Sequence, residues 1–400
     1  MSPGILELVA AHDSWRLKRA INLIPSENVM SPAVRGILSS DLASRYSLPI
    51  NQEVHGVMVE NAYRGTKFSE EIVEASTALA RDVFRAKHAF LDPLAGHIAS
   101  ILMLASTCKR GDLILTMDSA DGGYDGYCQP YIPDILGLKA KYLPYDSKNG
   151  TVDGAGSAAM VRKVKPALVV LGSSYIPFQH PVKEMAEACR ETGARLGYDA
   201  AHVLGIIPSF QDPLREGADI VVGNTHKTFW GPQGGIVLTD DEELAAEVTK
   251  NLTWRFLDNT HLNRIAATGQ ALLEWKRHGK RYAAQVVKNS RALGRELDAL
   301  GYPLRYGHRG FTASHQLIID QRRYTRFSGT DVNKAAKRLE KCDVVTDAVG
   351  RIGVQEVTRM SLVEKDMGEL AGVIADGCKG ANVKKRAAML RKRMKLGYTI

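Results

Sequence analysis

The fold is decided by the stretch Asn224-Thr225-His226-Lys227-Thr228-Phe229-Trp230-Gly231-Pro232-Gln233-Gly234-Gly235. It follows the apolar run 218–222, which has the pattern of a buried strand, and it ends in a glycine-rich turn. A lysine between a strand and such a turn can be held partly desolvated, and a desolvated amine is a nucleophile. Lys227 is therefore the first candidate catalytic residue, with His226 immediately before it.

A second candidate, Asp199, stands at the end of another apolar run, residues 194–198. Pyridoxal phosphate enzymes join a lysine Schiff base to an aspartate that pairs with the pyridinium nitrogen. The protonated ring then withdraws electrons from the substrate α-carbon and stabilises a carbanion there. The spacing of Asp199 and Lys227 suits two neighbouring strand ends joined by a crossover. The two residues together predict a pyridoxal 5'-phosphate enzyme.

Ordered motifs over most of the chain resemble those of the serine hydroxymethyltransferase family, fold type I pyridoxal phosphate enzymes. The resemblance runs from about Asn22 to about Arg359. Its motifs are Leu23-Ile24-Pro25-Ser26-Glu27-Asn28 with Ser31-Pro32, Asp199-Ala200-Ala201-His202, Thr225-His226-Lys227-Thr228 with Gly231-Pro232, and Arg351-Ile352-Gly353 with Thr358-Arg359. It implies a homodimer with shared active sites.

The alternation of apolar strands and helices predicts an α/β fold with a mostly parallel sheet of the seven-stranded type. We expect an N-terminal arm over 1–49, a large cofactor domain over 50–273, and a linking helix with a small α+β domain over 274–400. The predicted linking helix runs from about Gly269 through Leu300.

Composition sets the class of protein and its surroundings. A 44% hydrophobic content with no run long enough to span a bilayer predicts a cytoplasmic protein with no membrane partner. The five cysteines have neither disulfide nor zinc spacing, so we expect reduced thiols and no metal. The net charge of +9 suits anionic substrates and a phosphate cofactor, or it attracts polyanions. Much of the excess lies in residues 384–395.

The phosphate of the cofactor needs donors at a helix N-terminus. The turn Ala95-Gly96-His97, before the helical run 98–107, falls where the family has a serine-glycine-serine turn. His97 replaces a hydroxyl and can still donate to phosphate. The alternative is a histidine that caps the helix.

The resemblance also implies contacts to the ring. Tyr124 stands where the family stacks a histidine on the ring, and a core tyrosine is the alternative. Ser174 resembles the family residue that bonds the phenolic oxygen, and a turn serine is the alternative. The remaining expected contacts are Asn224, His202 and His226, with His202 also able to orient Asp199.

The substrate carboxylate is expected to meet Arg351, assisted by Ser26, because a guanidinium matches carboxylate geometry. A solvated surface arginine is the alternative. Tyr46 and Tyr63 are candidate catalytic phenols, contributed from a neighbouring subunit.

Departures from the family concern folate. The family has a proton-handling glutamate two positions after Tyr46, and this chain has Leu48 there, with Glu53 or Glu60 as possible replacements. Residues 342–350 form a short loop where the family has a longer one that helps hold folate. At 257–260 the sequence Leu-Asp-Asn-Thr replaces a glycine pair and brings a carboxylate toward the partner's phosphate site.

These departures leave the carbanion machinery whole and make tetrahydrofolate doubtful. We therefore expect a folate-independent aldolase or transaldolase that makes or breaks the Cα–Cβ bond of a β-hydroxy-α-amino acid, using small amino-acid and aldehyde substrates. The nearest alternative is a serine hydroxymethyltransferase that uses folate or another pterin, and racemisation or transamination is a third. A non-catalytic nucleic-acid binder using the basic tail is the alternative from another class, which Lys227 and Asp199 argue against.

Overall fold

A computed structural model describes residues 3–400. The strands are β1 (Ile21–Asn22), β2 (Pro49–Val54), β3 (Val57–Asn61), β4 (His88–Phe90), β5 (Leu113–Thr116), β6 (Lys139–Tyr142), β7 (Tyr145–Asp146), β8 (Thr151–Val152), β9 (Leu168–Leu171), β10 (Arg195–Asp199), β11 (Ile220–Asn224), β12 (Gly235–Thr239), β13 (Gln316–Ile318), β14 (Val344–Val345) and β15 (Arg351–Gly353).

The helices are α1 (Ile5–Lys18), α2 (Pro32–Leu38), α3 (Lys67–Phe84), α4 (Gly96–Thr107), α5 (Ile132–Leu136), α6 (Gly154–Val164), α7 (Val182–Thr192), α8 (Pro213–Glu216), α9 (Glu242–Leu252), α10 (Leu262–Ala299), α11 (Gln321–Ser328), α12 (Val332–Lys341), α13 (Gln355–Arg359), α14 (Met367–Cys378) and α15 (Lys384–Arg393). In this part of the chain no helix combines the length and the apolar character that a membrane crossing requires.

A seven-stranded sheet forms the centre, in the order β4-β12-β11-β10-β9-β5-β6. All of its strands are parallel except β12, which is antiparallel to both β11 and β4. The predicted α/β fold with a mostly parallel sheet is confirmed. Strand β9 is buried along its whole length, as expected of a parallel strand covered on both faces.

Crossover helices set the direction of the strands. Helix α7 connects β9 to its parallel neighbour β10. Gly193, the residue that follows the helix, adopts a left-handed conformation and terminates it. Because β9, β10 and β11 run in the same direction, their carboxyl ends meet at one edge of the sheet, where ligands bind in open α/β folds.

The hydrophobic core lies between this sheet and the helices packed on it. Helix α4 packs against α9, β11 and β12. Its buried Leu102 and Met103 join Leu244 and Val248 of α9 and residues of the sheet in one cluster. This packing fixes the first turn of α4 beside the ends of the strands.

The chain divides into two compact units. The large unit comprises 30–147, 151–280 and Ile400, and the small unit comprises 3–29, 148–150 and 281–399 among the described residues. The segment up to Val29 therefore belongs with the C-terminal part of the chain, and the arm predicted over 1–49 is divided between the units. The helix predicted from about Gly269 begins earlier, at Leu262.

In the small unit, β13 pairs with β15 and β1 pairs with β14. The side chain of Gln355 donates to the carbonyl oxygens of Ile24 and Glu27, each at 2.6 Å. These bonds hold the segment around Ser26 against the residues that follow β15.

Half-buried Glu356 is expected to make the stability of the small unit depend on pH. Asn22 Nδ2 donates to Glu356 Oε2 at 2.7 Å. Burial raises the pKa of this carboxyl from 4.5 to about 7, with Asn22 and Arg16 opposing the rise. Within that range the folded state holds a proton that the unfolded chain releases, so the free energy of unfolding falls as the pH rises from 4.5 to about 7.

We expect Glu356→Gln to remove this loss, because an amide stays neutral at every pH. The difference in unfolding free energy between about pH 5 and about pH 8 should shrink by roughly 1–3 kcal/mol. Urea unfolding at both pH values measures it, with Glu340→Gln, an exposed carboxyl of α12, as the control. An unchanged difference in the Glu356→Gln protein would contradict the expectation.

Candidate active site

A cavity of about 280 Å³ lies in the large unit, at the carboxyl ends of β9, β10 and β11. All of the residues that the sequence analysis assigned to the cofactor line it. The lining consists of Ala95, Gly96, His97, Ser100, Tyr124, Ser173, Ser174, Asp199, Ala201, His202, Asn224, His226, Lys227 and Gln233.

The ends of three adjacent strands bring these residues together. Asp199 is the last residue of β10, and Lys227 follows the end of β11 by three residues. After β9 the chain turns at Gly172, where φ is +117° and a Cβ atom would lie 2.3 Å from the carbonyl oxygen of Asp199. Glycine is therefore required there, and the turn places Ser174 at the cavity.

Lys227 lies between two histidines. Its Nζ is 3.4 Å from His202 Nε2. The pKa of His226 is lowered to about 4, first by burial and second by the charge of Lys227, so His226 is uncharged at neutral pH. Its buried Nδ1 has no hydrogen-bond partner among the described residues, which suits a site that takes up a polar ligand.

Asp199 is buried, and hydrogen-bond donors reach both of its oxygens. Oδ1 accepts the backbone N–H of Ala201 at 2.8 Å, and Oδ2 accepts the Tyr127 O–H at 3.0 Å. Burial raises the pKa of the carboxyl, and the Ala201 N–H, the charge of Lys227 and Tyr127 oppose that rise. A carboxylate held this way is suited to pair with a cation.

The first turn of α4 forms one wall of the cavity. A Cβ atom on Gly96 would lie 2.2–2.4 Å from the side chain of Asn224, so only glycine permits this approach. The N-cap residue is Ala95, whose methyl side chain cannot accept hydrogen bonds from the first amides of the helix, and amides left this way suit an anion. Exposed His97 does not cap the helix, since its Nδ1 lies 2.7 Å from Tyr124 Oη.

The predicted catalytic phenols lie elsewhere in the large unit. The rings of Tyr46 and Tyr63 meet edge to face at 4.7 Å between centroids, and their exposed fractions are 44% and 43%. Tyr46 Oη donates to Asp258 Oδ2 at 3.3 Å. Neither residue lines the cavity of its own chain.

The predicted substrate residues Ser26 and Arg351 belong to the small unit, and their role at the site stays a prediction. Arg351 Nε donates to Asp347 Oδ2 at 2.7 Å, and both side chains are largely buried. Asp347 Oδ1 also accepts the Arg351 backbone N–H at 2.9 Å. The arginine is thus a fixed side chain rather than a mobile surface one.

The departures from the family pattern have definite positions. Leu48 is buried, while Glu53 and Glu60 are exposed on the β2–β3 hairpin and do not line the cavity. The loop after α9 contacts the segment before Leu48, since Thr260 N donates to the carbonyl oxygen of Ser47 at 2.9 Å.

Sequence reasoning missed several residues at the site: Ser100, Ser173, Ala201 and Gln233 in the lining, and Tyr127 behind it. Two local signals existed. Ser100 follows Gly96 by one helical turn, and Gln233 lies inside the lysine stretch. Nothing in the local sequence linked Tyr127 to Asp199, which lies 72 positions away.

Comparison with known proteins decides the family. The model of the family described as "Serine hydroxymethyltransferase" matches residues 2–374. This chain belongs to the serine hydroxymethyltransferase family. It is 38% identical to a serine hydroxymethyltransferase of Methanothermobacter thermautotrophicus, over 92% of this chain and 88% of the relative. The Methanopyrus kandleri serine hydroxymethyltransferase is 37% identical, over 93% of this chain and 88% of the relative.

Among solved structures, the L-threonine transaldolase from Pseudomonas fluorescens matches with a TM-score of 0.87. The match covers 98% of this chain and 92% of the other, at 24% sequence identity, and therefore shows the shared fold. The chain is a fold type I, pyridoxal phosphate-dependent enzyme of the serine hydroxymethyltransferase family.

The residues present fit this cofactor. In this one cavity, the first turn of α4 with Gly96 suits an anion, and the buried Nδ1 of His226 suits a polar ligand atom. The buried Asp199 suits a cation. Within residues 3–400, no cluster of three or more His, Cys, Asp or Glu is arranged to hold a metal ion.

Proposed function

We propose that this enzyme makes or breaks the Cα–Cβ bond of a β-hydroxy-α-amino acid without folate, as an aldolase or transaldolase. The observation that carries the proposal is the distribution of carboxyl groups. Among the described residues that line the cavity, Asp199 is the one acid, and buried Leu48 stands where the family has a proton-handling glutamate. Leucine transfers no proton, so the step that folate requires lacks its acid.

The chain's own residues supply the rest of the chemistry. Pyridoxal phosphate, when bound, acts as an electron sink for the carbanion at the substrate α-carbon. Lys227 would hold it covalently, Asp199 would pair with its ring nitrogen, and the first turn of α4 with His97 would hold its phosphate. Ser174, Asn224 and Tyr124 line the same cavity and would contact the ring.

Removal of the β-hydroxyl proton requires a base at the site. His226 stays neutral because its pKa is lowered to about 4, so it accepts a hydrogen bond but is a weak base. The other candidates are His202, the cofactor phosphate, and Tyr63 of a second copy. We assign the substrate carboxylate to Arg351 and Ser26.

We further propose a homodimer in which each copy's Tyr46 and Tyr63 complete the other's site. One support is the exposure of apolar side chains on the β2–β3 hairpin, where Val57 is 63% and Met58 is 59% exposed. Another is that the two phenols themselves are about half exposed. The hydrogen bond to Asp258 holds Tyr46 in place, and Tyr63 packs against the Tyr46 ring. A phenol held in this way suits a catalytic role better than a mobile one.

Mixing two inactive variants tests this arrangement. Lys227→Ala removes the amine and Tyr63→Phe removes the phenol, so hybrid dimers would contain one intact site. With random exchange of subunits we expect activity to return to at most about a quarter of wild type, since about half the dimers are hybrids with one working site. Turnover of the mixture after dissociation and reassociation measures it. The absence of any recovery, with mixed dimers demonstrated by tag capture, would contradict shared sites.

We propose a cytoplasmic enzyme that acts on small amino acids and aldehydes. Support for a reducing compartment comes from the cysteines, which are all free in the described residues.

A second candidate is a folate- or pterin-dependent serine hydroxymethyltransferase. It is supported by the two archaeal relatives described above, which carry that name at 38% and 37% identity. Glu53 or Glu60, exposed on the hairpin, would then take the place of the missing acid in a neighbouring copy.

Paired assays separate the candidates. The purified enzyme is given L-threonine with and without tetrahydrofolate, and acetaldehyde release is followed by a coupled alcohol dehydrogenase. In parallel, it is given L-serine with tetrahydrofolate. The folate-independent proposal predicts equal aldehyde release in both threonine reactions and negligible methylene transfer from serine. Serine turnover that depends strictly on folate would overturn the proposal.

A further inference from the structure

Behind the cavity, a buried chain of hydroxyl groups reaches Asp199. Tyr127 Oη lies 3.0 Å from Asp199 Oδ2 and 2.8 Å from Ser100 Oγ. Ser100 Oγ lies 3.2 Å from the carbonyl oxygen of Gly96, in the first turn of α4. The tyrosine is fully buried and packs edge to face on Tyr124 at 5.5 Å between ring centroids.

Tyr127 acts on Asp199 as a hydrogen-bond donor. Burial, and secondly the charge of Asp199, raises the pKa of the phenol far above its ordinary range, so the phenol keeps its proton. Its single proton has two acceptors within reach, Ser100 Oγ and Asp199 Oδ2, and an ionised carboxylate is the stronger acceptor. Since an ionised acceptor strengthens such a bond, the interaction favours the charged form of Asp199 over the neutral form.

The charge of Asp199 matters because this carboxyl and the ring nitrogen of a bound cofactor would share one proton. Burial alone favours the neutral pair, with the proton on the acid. Donors to the carboxylate reduce its proton affinity and leave the proton on the ring. The Ala201 N–H and the Tyr127 O–H are the donors seen at the two oxygens.

We propose that Tyr127 is a positioning residue that keeps Asp199 ionised and aimed at the ring nitrogen, with Ser100 as the competing acceptor of the phenol's proton. The inference rests on the pairing of Asp199 with the ring, and it holds whether or not folate takes part. It extends the cofactor machinery beyond the cavity lining to a side chain that meets neither cofactor nor substrate.

The inference is tested by comparing the affinity of the enzyme for the cofactor with its affinity for an analogue that lacks the ring nitrogen. Apoenzyme is titrated with pyridoxal phosphate and with deazapyridoxal phosphate, in which a C–H group replaces the ring nitrogen. Tyr127→Phe keeps the ring in its apolar surroundings and removes only the hydroxyl. We expect its affinity for pyridoxal phosphate to fall about tenfold, and its affinity for the deaza compound to change less than about twofold.

Matched variants complete the design. Tyr198→Phe removes another fully buried hydroxyl, one bonded to Gln211 Oε1 at 3.1 Å, and should leave the ratio of the two affinities unchanged. Ser100→Ala removes the competing acceptor of the phenol's proton and should shift the ratio in the opposite direction from Tyr127→Phe, by less. If Tyr127→Phe does not fold, the Ser100→Ala ratio decides.

The outcomes are separable. Equal losses for both compounds, or no loss for either, would overturn the role of Tyr127. A wild-type enzyme that does not prefer pyridoxal phosphate over the deaza compound would instead overturn the pairing of Asp199 with the ring, and the inference with it.

Discussion

Lys227→Ala should lower the turnover of a β-hydroxy-α-amino acid by at least about a thousandfold, the largest effect of any single substitution in this chain. In our proposal the Lys227 amine is the nucleophile that holds the cofactor covalently, and a methyl group cannot replace it. It is also placed, 3.4 Å from His202, to exchange protons at the site. The cofactor should still bind through its phosphate and ring, with the violet absorbance of the covalent form lost.

Two measurements check this expectation. Steady-state turnover gives the loss, and borohydride reduction of the wild-type enzyme followed by peptide mass spectrometry locates the covalently attached cofactor. Lys250→Ala, on the exposed face of α9, is the control and should behave as wild type. Full turnover in Lys227→Ala, or attachment at another lysine, would remove Lys227 from the mechanism.

Asp199→Asn should lower turnover by about a hundredfold to a thousandfold while the protein stays folded. The amide has the shape of the carboxylate and still accepts the Ala201 N–H, but it carries no charge to balance a protonated ring nitrogen. The carbanion is then poorly stabilised, so the loss should fall on kcat more than on KM.

The measurement is kcat and KM of the Asp199→Asn enzyme, and the Asp153→Asn enzyme is the control. The second variant changes a carboxylate that accepts from Gly156 N at the N-cap of α6, outside the cavity lining, and should leave kcat within about twofold. Equal kcat in Asp199→Asn and wild type would show that the ring charge is set by another group.

The sequence predicted several residues that line this cavity because the ends of parallel strands converge. Asp199 and Lys227 follow apolar runs that could be recognised as parallel strands, and parallel strands place their carboxyl ends at one edge. Gly96 was located because a glycine before a helical run is typical of a phosphate turn. The cavity contains all three residues.

Other features depend on contacts that no local pattern encodes. The reversed direction of β12 follows from its pairing with both β4 and β11. Its Val237 lies opposite Phe90, 147 positions away in the sequence, and opposite Val222, 15 positions away. Tyr127 reaches Asp199 through the fold and not through sequence spacing. The resemblance to the family did identify its neighbour Tyr124, because that resemblance concerns residues expected to contact the cofactor ring.

The hairpin formed by β2 and β3 was not predicted from the sequence, for a different reason. Its residues from Pro49 to Val54 are mostly exposed and lack the alternation that identifies a half-buried strand. The sequence therefore did not predict this hairpin, and the position of Glu53 and Glu60 relative to a neighbouring copy could not follow from it.

Transfer of a glycine unit between two aldehydes tests the central claim most directly. Enzyme free of folate is incubated with L-threonine and benzaldehyde, and β-phenylserine is measured by liquid chromatography and mass spectrometry, with the Lys227→Ala protein as the blank. We predict β-phenylserine and acetaldehyde in wild-type reactions, at a rate that tetrahydrofolate does not raise. Formation of neither product until tetrahydrofolate is added would contradict a folate-independent enzyme.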